Sequence, residues 1–190
     1  MIQTETERKF LVRNDDYKKE AVRSYRIRQG YIAQDCGNTV RVRIREAVEV
    51  PSGDSAAPAG AGEAFLTIKG PSADRISRTE WEMEIPVAEA ESLLELCGGR
   101  VIDKIRHLVP ETAGPHTFEV DEFLGLNAGL TVAEIEFPEG SHSTGSSSHG
   151  CRHAGETFHR PSWLGPEVTS DRRYTNAALS LHPFSTWEQD

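Results

Sequence analysis

Alternation of apolar and polar residues with a period of two dominates the chain, which is typical of β-strands whose two faces meet different surroundings. The pattern predicts strands at about residues 4–12, 24–33, 39–49, 64–70, 78–86, 101–109, 116–124 and 131–137. Apolar residues at helical spacing predict helices over 14–21, 87–97 and 171–181. Because a closed sheet has no exposed edges, this pattern favours an α+β fold built on an eight-stranded antiparallel closed β-barrel, with helices packed on the outside.

Two stretches of small and polar residues, 51–62 and 139–156, interrupt this pattern. Their composition predicts long flexible loops. They are not interpreted as domain boundaries, because strand-like alternation or a short tail follows each of them. The 190 residues are therefore expected to form a single domain, 1–190.

Charged residues on the predicted strands are segregated by sign. One strand carries Arg41, Arg43 and Arg45 with apolar residues between them, whereas another carries Glu134 and Glu136. An antiparallel sheet with one solvated face also alternates in this way, and for any single strand that is the simpler interpretation. A solvated face usually mixes the two signs, however, because like charges on neighbouring strands repel. Taken together, the strands favour charged faces that point inward.

Inward-facing charges of both signs suit a polyanion that is bound together with metal ions. Carboxylate pairs supply the oxygen ligands that Mg²⁺ and Mn²⁺ prefer, and arginine and lysine bind phosphate oxygens. Because the net charge is −9, a stable nucleic-acid partner is not expected. A polyanionic substrate would instead need a locally basic site.

The composition shows no sign of export or of membrane insertion. No apolar run approaches the ~20 residues that span a bilayer, and the N-terminus lacks the basic start and apolar stretch of a signal peptide. The three cysteines are odd in number and widely spaced, which argues against a disulfide framework. A cytoplasmic protein without a membrane partner is therefore expected.

Motifs in a fixed order connect the charged strands with a known family. The stretch Glu5-Thr6-Glu7-Arg8-Lys9 is an ExExK signature, and 39–43 resembles an RxR strand. Further matching segments follow in the family's order at 26–31, 65–70, 78–86, 104–106, 119–121 and 134–137. ExExK alone is a weak pattern, but the ordered set is specific and covers nearly the whole chain. The chain resembles the CYTH superfamily, also called the triphosphate tunnel metalloenzymes, and within it the bacterial inorganic tripolyphosphatases.

The resemblance implies a metal-dependent triphosphatase that removes the terminal phosphate of inorganic tripolyphosphate in a charged tunnel by means of a metal-activated water. The C-terminal tail resembles the family's plug helix at one tunnel mouth. The residues then expected to bind phosphate oxygens are Lys9, Arg41, Arg43, Lys69, Arg78, Lys104 and Arg106. Those expected to bind two Mg²⁺ or Mn²⁺ ions are Glu5, Glu7, Glu80, Glu82, Asp121, Glu134 and Glu136. Lys104 is expected to assist at the reacting phosphate, and Tyr31 to position the substrate.

Two other activities remain open at this point. An organic triphosphatase or cyclase acting on nucleoside or thiamine triphosphate would need a base-binding surface, and the sequence shows no aromatic cluster that clearly makes one. A non-catalytic module that binds polyphosphate or nucleotides would need only the basic residues, so the intact carboxylate pairs argue against it. If the protein is an inorganic or an organic triphosphatase, the expected partner is a small anionic triphosphate. Whether the protein forms a homodimer is left open.

Overall fold

A computed structural model describes residues 6–35, 38–48, 62–70, 80–137 and 158–187 of the chain. Glu5, Arg78 and almost all of the loops expected at 51–62 and 139–156 lie outside these described residues. The side chain of Glu80 lies outside them too, although its backbone belongs to a strand. Within the described ranges no helix is long and apolar enough to cross a membrane.

Nine strands of the described residues form one antiparallel sheet. In chain order they are β1 (Thr6–Val12), β2 (Arg23–Asp35), β3 (Asn38–Val48), β4 (Glu63–Lys69), β5 (Glu80–Ile85), β6 (Val101–Pro110), β7 (Thr117–Phe123), β8 (Thr131–Phe137) and β9 (Leu164–Glu167). The eight strands predicted from alternation are all present, and their ends lie within two residues of the predicted ones.

The prediction of a closed barrel is wrong, because the sheet keeps two free ends. Its strand order is β5-β4-β3-β2-β6-β7-β8-β1-β9. Closure of the eight predicted strands would join β1 to β5, but β1 pairs with β8 on one side and with β9 on the other. The unpredicted β9 therefore occupies the edge that closure needs. The sheet is nevertheless strongly curved, since residues of β1 to β8 all line one cavity.

Three α-helices of the described residues pack on this sheet: α1 (Tyr17–Glu20), α2 (Val87–Glu95) and α3 (Asn176–Leu181). Each lies within a predicted helical range and is shorter than predicted. The range 171–181 is divided at Thr175, whose extended backbone (φ −78°, ψ 143°) separates a 3-10 turn, Arg172–Tyr174, from α3. The hydroxyl of Thr175 caps α3 by accepting a hydrogen bond from the N–H of Ala178 at 3.2 Å.

Two apolar clusters cover the outer face of the sheet. One packs α1 and the segment before β9 against β1, β7 and β8, and includes Phe10, Tyr17, Phe118, Val120, Ile135, Phe137 and Trp163. The other packs α2 against β3, β4 and β5, and includes Val42, Ile44, Ala64, Ile85, Ala90, Leu94 and Cys97. A third cluster lies on the inner face, where Leu179 of α3 meets Ile102, Phe123, Leu130 and Val132. Because side chains alternate between the faces, burying the apolar residues outside directs the charged ones inward.

Candidate active site

A cavity of about 370 Å³ lies on the inner face of the curved sheet. Its basic residues are Lys9, Arg41, Arg43, Lys69 and Arg106, and its acidic residues are Glu7, Glu82, Glu119, Glu134 and Glu136. Tyr31, Thr39, Thr175, Asn176 and Ala177 complete the lining. Most of these residues are alternate positions of a strand, as expected for side chains that share one face.

The acidic wall of the cavity is formed by the adjacent strands β7, β8 and β1. Glu119 lies directly opposite Glu134 on neighbouring strands, and Glu7 lies directly opposite Glu136. Lys9 neutralises part of this wall, because its Nζ lies 2.5 Å from Glu134 and 3.0 Å from Glu7. Burial lowers the pKa of Lys9, but the two carboxylates outweigh burial and raise it above its ordinary value. Lys9 therefore stays positively charged at neutral pH.

The basic wall of the cavity is formed by Arg41, Arg43 and Lys69 on β3 and β4. Arg41 donates a hydrogen bond to the hydroxyl of Thr67 at 3.1 Å and lies 3.5 Å from Glu82. The Nε of Arg43 is buried without a hydrogen-bond partner, and Arg43 makes no ion pair with any residue that the structure describes. Burial and the neighbouring Arg41 lower the pKa of Arg43 to about 10. A partly buried charge without an ion pair is costly, so Arg43 is a candidate anion-binding residue.

Arg106 connects the cavity to a buried charge network beside it on the inner face of the sheet. Its guanidinium donates to Asp121 at 2.7 and 2.6 Å, contacts Glu119, and lies 3.3 Å from Glu134. Lys104 donates to the same Asp121 at 2.5 Å. Burial, reinforced by Arg106, lowers the pKa of Lys104 to about 8. Burial alone would raise the pKa of Asp121, but Arg106 and Lys104 outweigh it and hold that pKa well below its usual range.

Lys104 and Asp121 lie on the inner face of the sheet but are not among the residues that line the cavity. They are 0% and 1% exposed, and each is enclosed by its partners. The sequence predicts Lys104 at the reacting phosphate and Asp121 as a metal ligand, and both roles stay predictions. Their contacts with the cavity are indirect, through Arg106 and through Asn176, whose Oδ1 accepts a hydrogen bond from Lys104 at 3.1 Å.

Tyr31 lines the cavity opposite Arg41 on the neighbouring strand and is 5% exposed. Gln29 donates from its amide to the Tyr31 hydroxyl at 3.1 Å. Because the hydroxyl oxygen is the acceptor in that bond, its own hydrogen is left for another group. Burial raises the pKa of Tyr31, so the hydroxyl keeps its proton at neutral pH. Tyr31 is therefore a neutral donor facing the cavity.

Several lining residues were not assigned by the motifs. Glu119 carried a usable signal, because it alternates with Asp121 along β7. Thr39 begins the RxR segment 39–43 but has no charge to mark it. The resemblance of the C-terminal tail to the family's plug helix placed the segment of residues 175–177 near one tunnel mouth but gave none of them a role. They reach the cavity because α3 packs Leu179 into the inner-face cluster.

The carboxylates of the cavity fit a divalent ion best at Glu7 and Glu136. No group of three or more His, Cys, Asp or Glu side chains in the described part of the chain is close enough to hold a metal alone. Glu134 and Asp121 are buried beside lysines, whereas Glu7, which also contacts Lys9, keeps half of its side chain exposed. Glu7 and Glu136 are exposed and directly opposite each other, and two like charges in this position favour a cation between them. Mg²⁺ is commonly bound by one or two carboxylates, with phosphate oxygens and water completing its ligands.

Known proteins resemble this chain over nearly its full length. The CYTH domain matches residues 3–148. The inorganic triphosphatase of Acetivibrio thermocellus is 39% identical over 186 residues, 97% of this chain and 98% of that protein. The inorganic triphosphatase of Nitrosomonas europaea is 32% identical over 178 residues, 94% of this chain and 97% of that protein. A crystal structure of an inorganic triphosphatase superposes with a TM-score of 0.58 at 28% identity, covering 94% of this chain and 95% of its own. With its domain match and two such relatives, the chain belongs to the CYTH domain family.

Proposed function

We propose that this protein is a metal-dependent inorganic triphosphatase that releases the terminal phosphate of tripolyphosphate. Two relatives named inorganic triphosphatase align with at least 94% of the chain, which supports hydrolysis of a triphosphate. The observation that carries the proposal is Arg43, a partly buried cation of the cavity whose Nε is buried and which makes no ion pair with any described residue. An anionic ligand supplies the missing countercharge.

The two walls of the cavity suit a linear polyanion. Arg41 and Arg43 bind its phosphate oxygens on the basic wall, where arginine offers paired donors in a fixed geometry. Tyr31 adds a neutral donor beside Arg41. The acidic wall would repel the same phosphates, and Lys9 already shares its charge between two carboxylates. Binding across both walls therefore requires additional positive charge on the acidic side.

Glu7 and Glu136 would hold a divalent cation, which would supply that charge. These oxygen ligands favour Mg²⁺ or Mn²⁺ over softer metals. When bound, such an ion neutralises phosphate charge and makes a bound water more acidic. The protein's own side chains position the substrate. Asp121 holds Arg106 in place, and the basic wall orients the phosphate groups.

The lining favours an inorganic substrate over an organic one. Tyr31 is the single aromatic side chain that lines the cavity within the described residues, and it is 5% exposed. A nucleobase or thiamine ring would need an apolar or aromatic surface to pack against. The other described lining residues are charged or small, which matches a ligand composed of phosphate groups.

Phosphate release from tripolyphosphate, ATP and thiamine triphosphate tests the proposal. We expect the highest kcat/KM with tripolyphosphate, turnover with Mg²⁺ or Mn²⁺, and loss of turnover in EDTA, because the acidic wall then repels the substrate. A preference for ATP or thiamine triphosphate would contradict the inorganic substrate. Tight binding of all three without turnover would show a binding module in place of an enzyme.

Glu136→Gln is expected to weaken binding of Mn²⁺ alone by about 10-fold or more, since a neutral amide replaces a charged ligand. Loss of the free Mn²⁺ signal in electron paramagnetic resonance measures this affinity without turnover. Glu95→Gln on the exposed side of α2 removes the same charge far from the cavity and is the matched control. Equal Mn²⁺ affinity in both variants would exclude Glu136 as a ligand.

A further inference from the structure

The start of α3 forms part of the cavity wall although it belongs to no strand. Thr175, Asn176 and Ala177 line the cavity together with the basic and acidic walls. The position of α3 is set by Leu179, which is 0% exposed in the inner-face cluster, and by the cap from Thr175. Asn176 is therefore presented to the cavity from a packed element.

The orientation of the Asn176 amide follows from the chemistry of its partner. Lys104 lies 3.1 Å from the side-chain oxygen of Asn176. An ammonium group has donors and no acceptor, so it must face the amide oxygen, and the two ends of the amide cannot be exchanged. Lys104 is itself held by Asp121 at 2.5 Å and is 0% exposed, which makes this anchor rigid.

The other end of the amide is a donor without a partner. With Oδ1 occupied by Lys104, Nδ2 is the end of the amide that the buried network does not hold. Nδ2 donates no hydrogen bond to any residue that the structure describes. Lys104 does not line the cavity, whereas Asn176 does, which leaves Nδ2 as the end of the amide available to a ligand.

We propose that Asn176 is a substrate-binding residue, whose Nδ2 donates a hydrogen bond to a phosphate oxygen of tripolyphosphate while Lys104 holds its Oδ1. The inference rests on the proposed triphosphatase function and adds a residue to that site. Asn176 contributes no charge, so it orients a phosphate group and does not neutralise it. The buried Lys104 thereby gains a second role beside its pairing with Asp121: it keeps the donor end of Asn176 turned to the ligand.

Two variants separate substrate contact from support of Lys104. Asn176→Asp keeps an oxygen for Lys104 and turns the donor end into a charged acceptor. Asn176→Ala removes both ends. If Nδ2 binds phosphate, kcat/KM for tripolyphosphate falls about 10²-fold in N176D and about 10-fold in N176A, because a repelling carboxylate is worse than a missing donor. If Asn176 only supports Lys104, the order reverses and N176D is the more active variant.

Asn14→Asp is the matched control for this change. Asn14 is exposed, its Oδ1 accepts a hydrogen bond from the N–H of Asp16 at 3.0 Å, and the substitution adds the same charge outside the cavity. We expect the kcat/KM of N14D to stay within about twofold of the wild-type value, as for an isolated surface charge. We expect N176D to have the same melting temperature as the wild type. N176D activity equal to wild type, or above that of N176A, overturns the inference while the triphosphatase function stands. Absence of turnover in the wild type overturns both.

Discussion

Replacing Arg43 by methionine is expected to make the protein less active and more stable at once. The guanidinium is partly buried in the cavity beside Arg41, and desolvation together with Arg41 lowers its pKa to about 10. A group with a lowered pKa is less stable in its charged form when folded than when unfolded, and this cost is present at every pH below about 10. Removing it should raise the free energy of unfolding by about 1 kcal/mol, or the melting temperature by roughly 2–4 °C.

The same substitution removes the arginine proposed to bind the anion. We expect kcat/KM for tripolyphosphate to fall about 10³-fold, the scale seen when a charge-stabilising donor is lost from a phosphoryl-transfer site. Thermal unfolding without ligand and phosphate release with tripolyphosphate measure the two effects separately.

Arg45→Met is the control for Arg43→Met, because it changes the same side chain two residues along β3. Arg45 pairs with Glu63, stacks 4.9 Å from the Tyr25 ring and does not line the cavity. Its replacement should leave kcat/KM nearly unchanged and should not stabilise the protein. A loss of activity of the same size in both variants would mean that Arg43 has no special role in anion binding. If R43M is less stable than the wild type, the charge of Arg43 in the wild type is compensated by other groups.

Asp121→Asn is expected to destabilise the protein more than any other single change considered. The Asp121 carboxylate is 1% exposed and neutralises both Lys104 and Arg106. Removing one partner of a buried pair leaves uncompensated charge, which typically costs about 3–5 kcal/mol of the free energy of unfolding. Denaturant unfolding at pH 7 measures the loss.

The pH dependence of unfolding gives a second test of Asp121. Its two cationic partners outweigh burial and hold its folded-state pKa well below the unfolded value of about 3.9. A lowered carboxyl pKa stabilises the fold above the unfolded pKa, and this stabilisation is lost as the pH falls toward the folded one. The wild type should therefore lose stability below about pH 4, whereas the contribution of this residue is absent from D121N at every pH.

Asp103→Asn is the matched control, since Asp103 also accepts two hydrogen bonds from one arginine. Arg26 donates to it at 3.1 and 2.8 Å, but the two side chains are 47% and 30% exposed. An exposed pair contributes about 0.2–1 kcal/mol, so D103N should cost much less than D121N. Similar losses in the two variants would contradict the buried network as a determinant of stability.

The strands and the faces of their side chains were predictable from the sequence alone. Val42 and Ile44 are buried outside while Arg41 and Arg43 line the cavity, because a strand turns successive side chains to opposite faces. This local rule needs no knowledge of neighbouring strands. It also explains why the charged positions named from the motifs in β3 and β8 meet at one cavity.

The closure of the sheet was not predictable in the same way. Whether two ends meet depends on which segment takes the hydrogen-bonding edge of β1, and in the structure this is β9. With four residues, Leu-Gly-Pro-Glu, β9 is too short to show a period and contains two residues that are unusual in strands. Its pairing follows from tertiary packing near Trp163, which is 0% exposed in the outer cluster.

The sequence by itself determined the strands, the inward arginines and glutamates and the relation to the CYTH family, because these depend on period and order along the chain. Only the tertiary structure decided which charges are already paired. Glu134 and Asp121 have the same pattern in the sequence, yet Glu134 lines the cavity whereas Asp121 is enclosed by Lys104 and Arg106 and does not line it. It also brought Asn176 to the substrate cavity from the C-terminal segment. Such pairings depend on distances between strands and helices, which the spacing of residues along one chain does not contain.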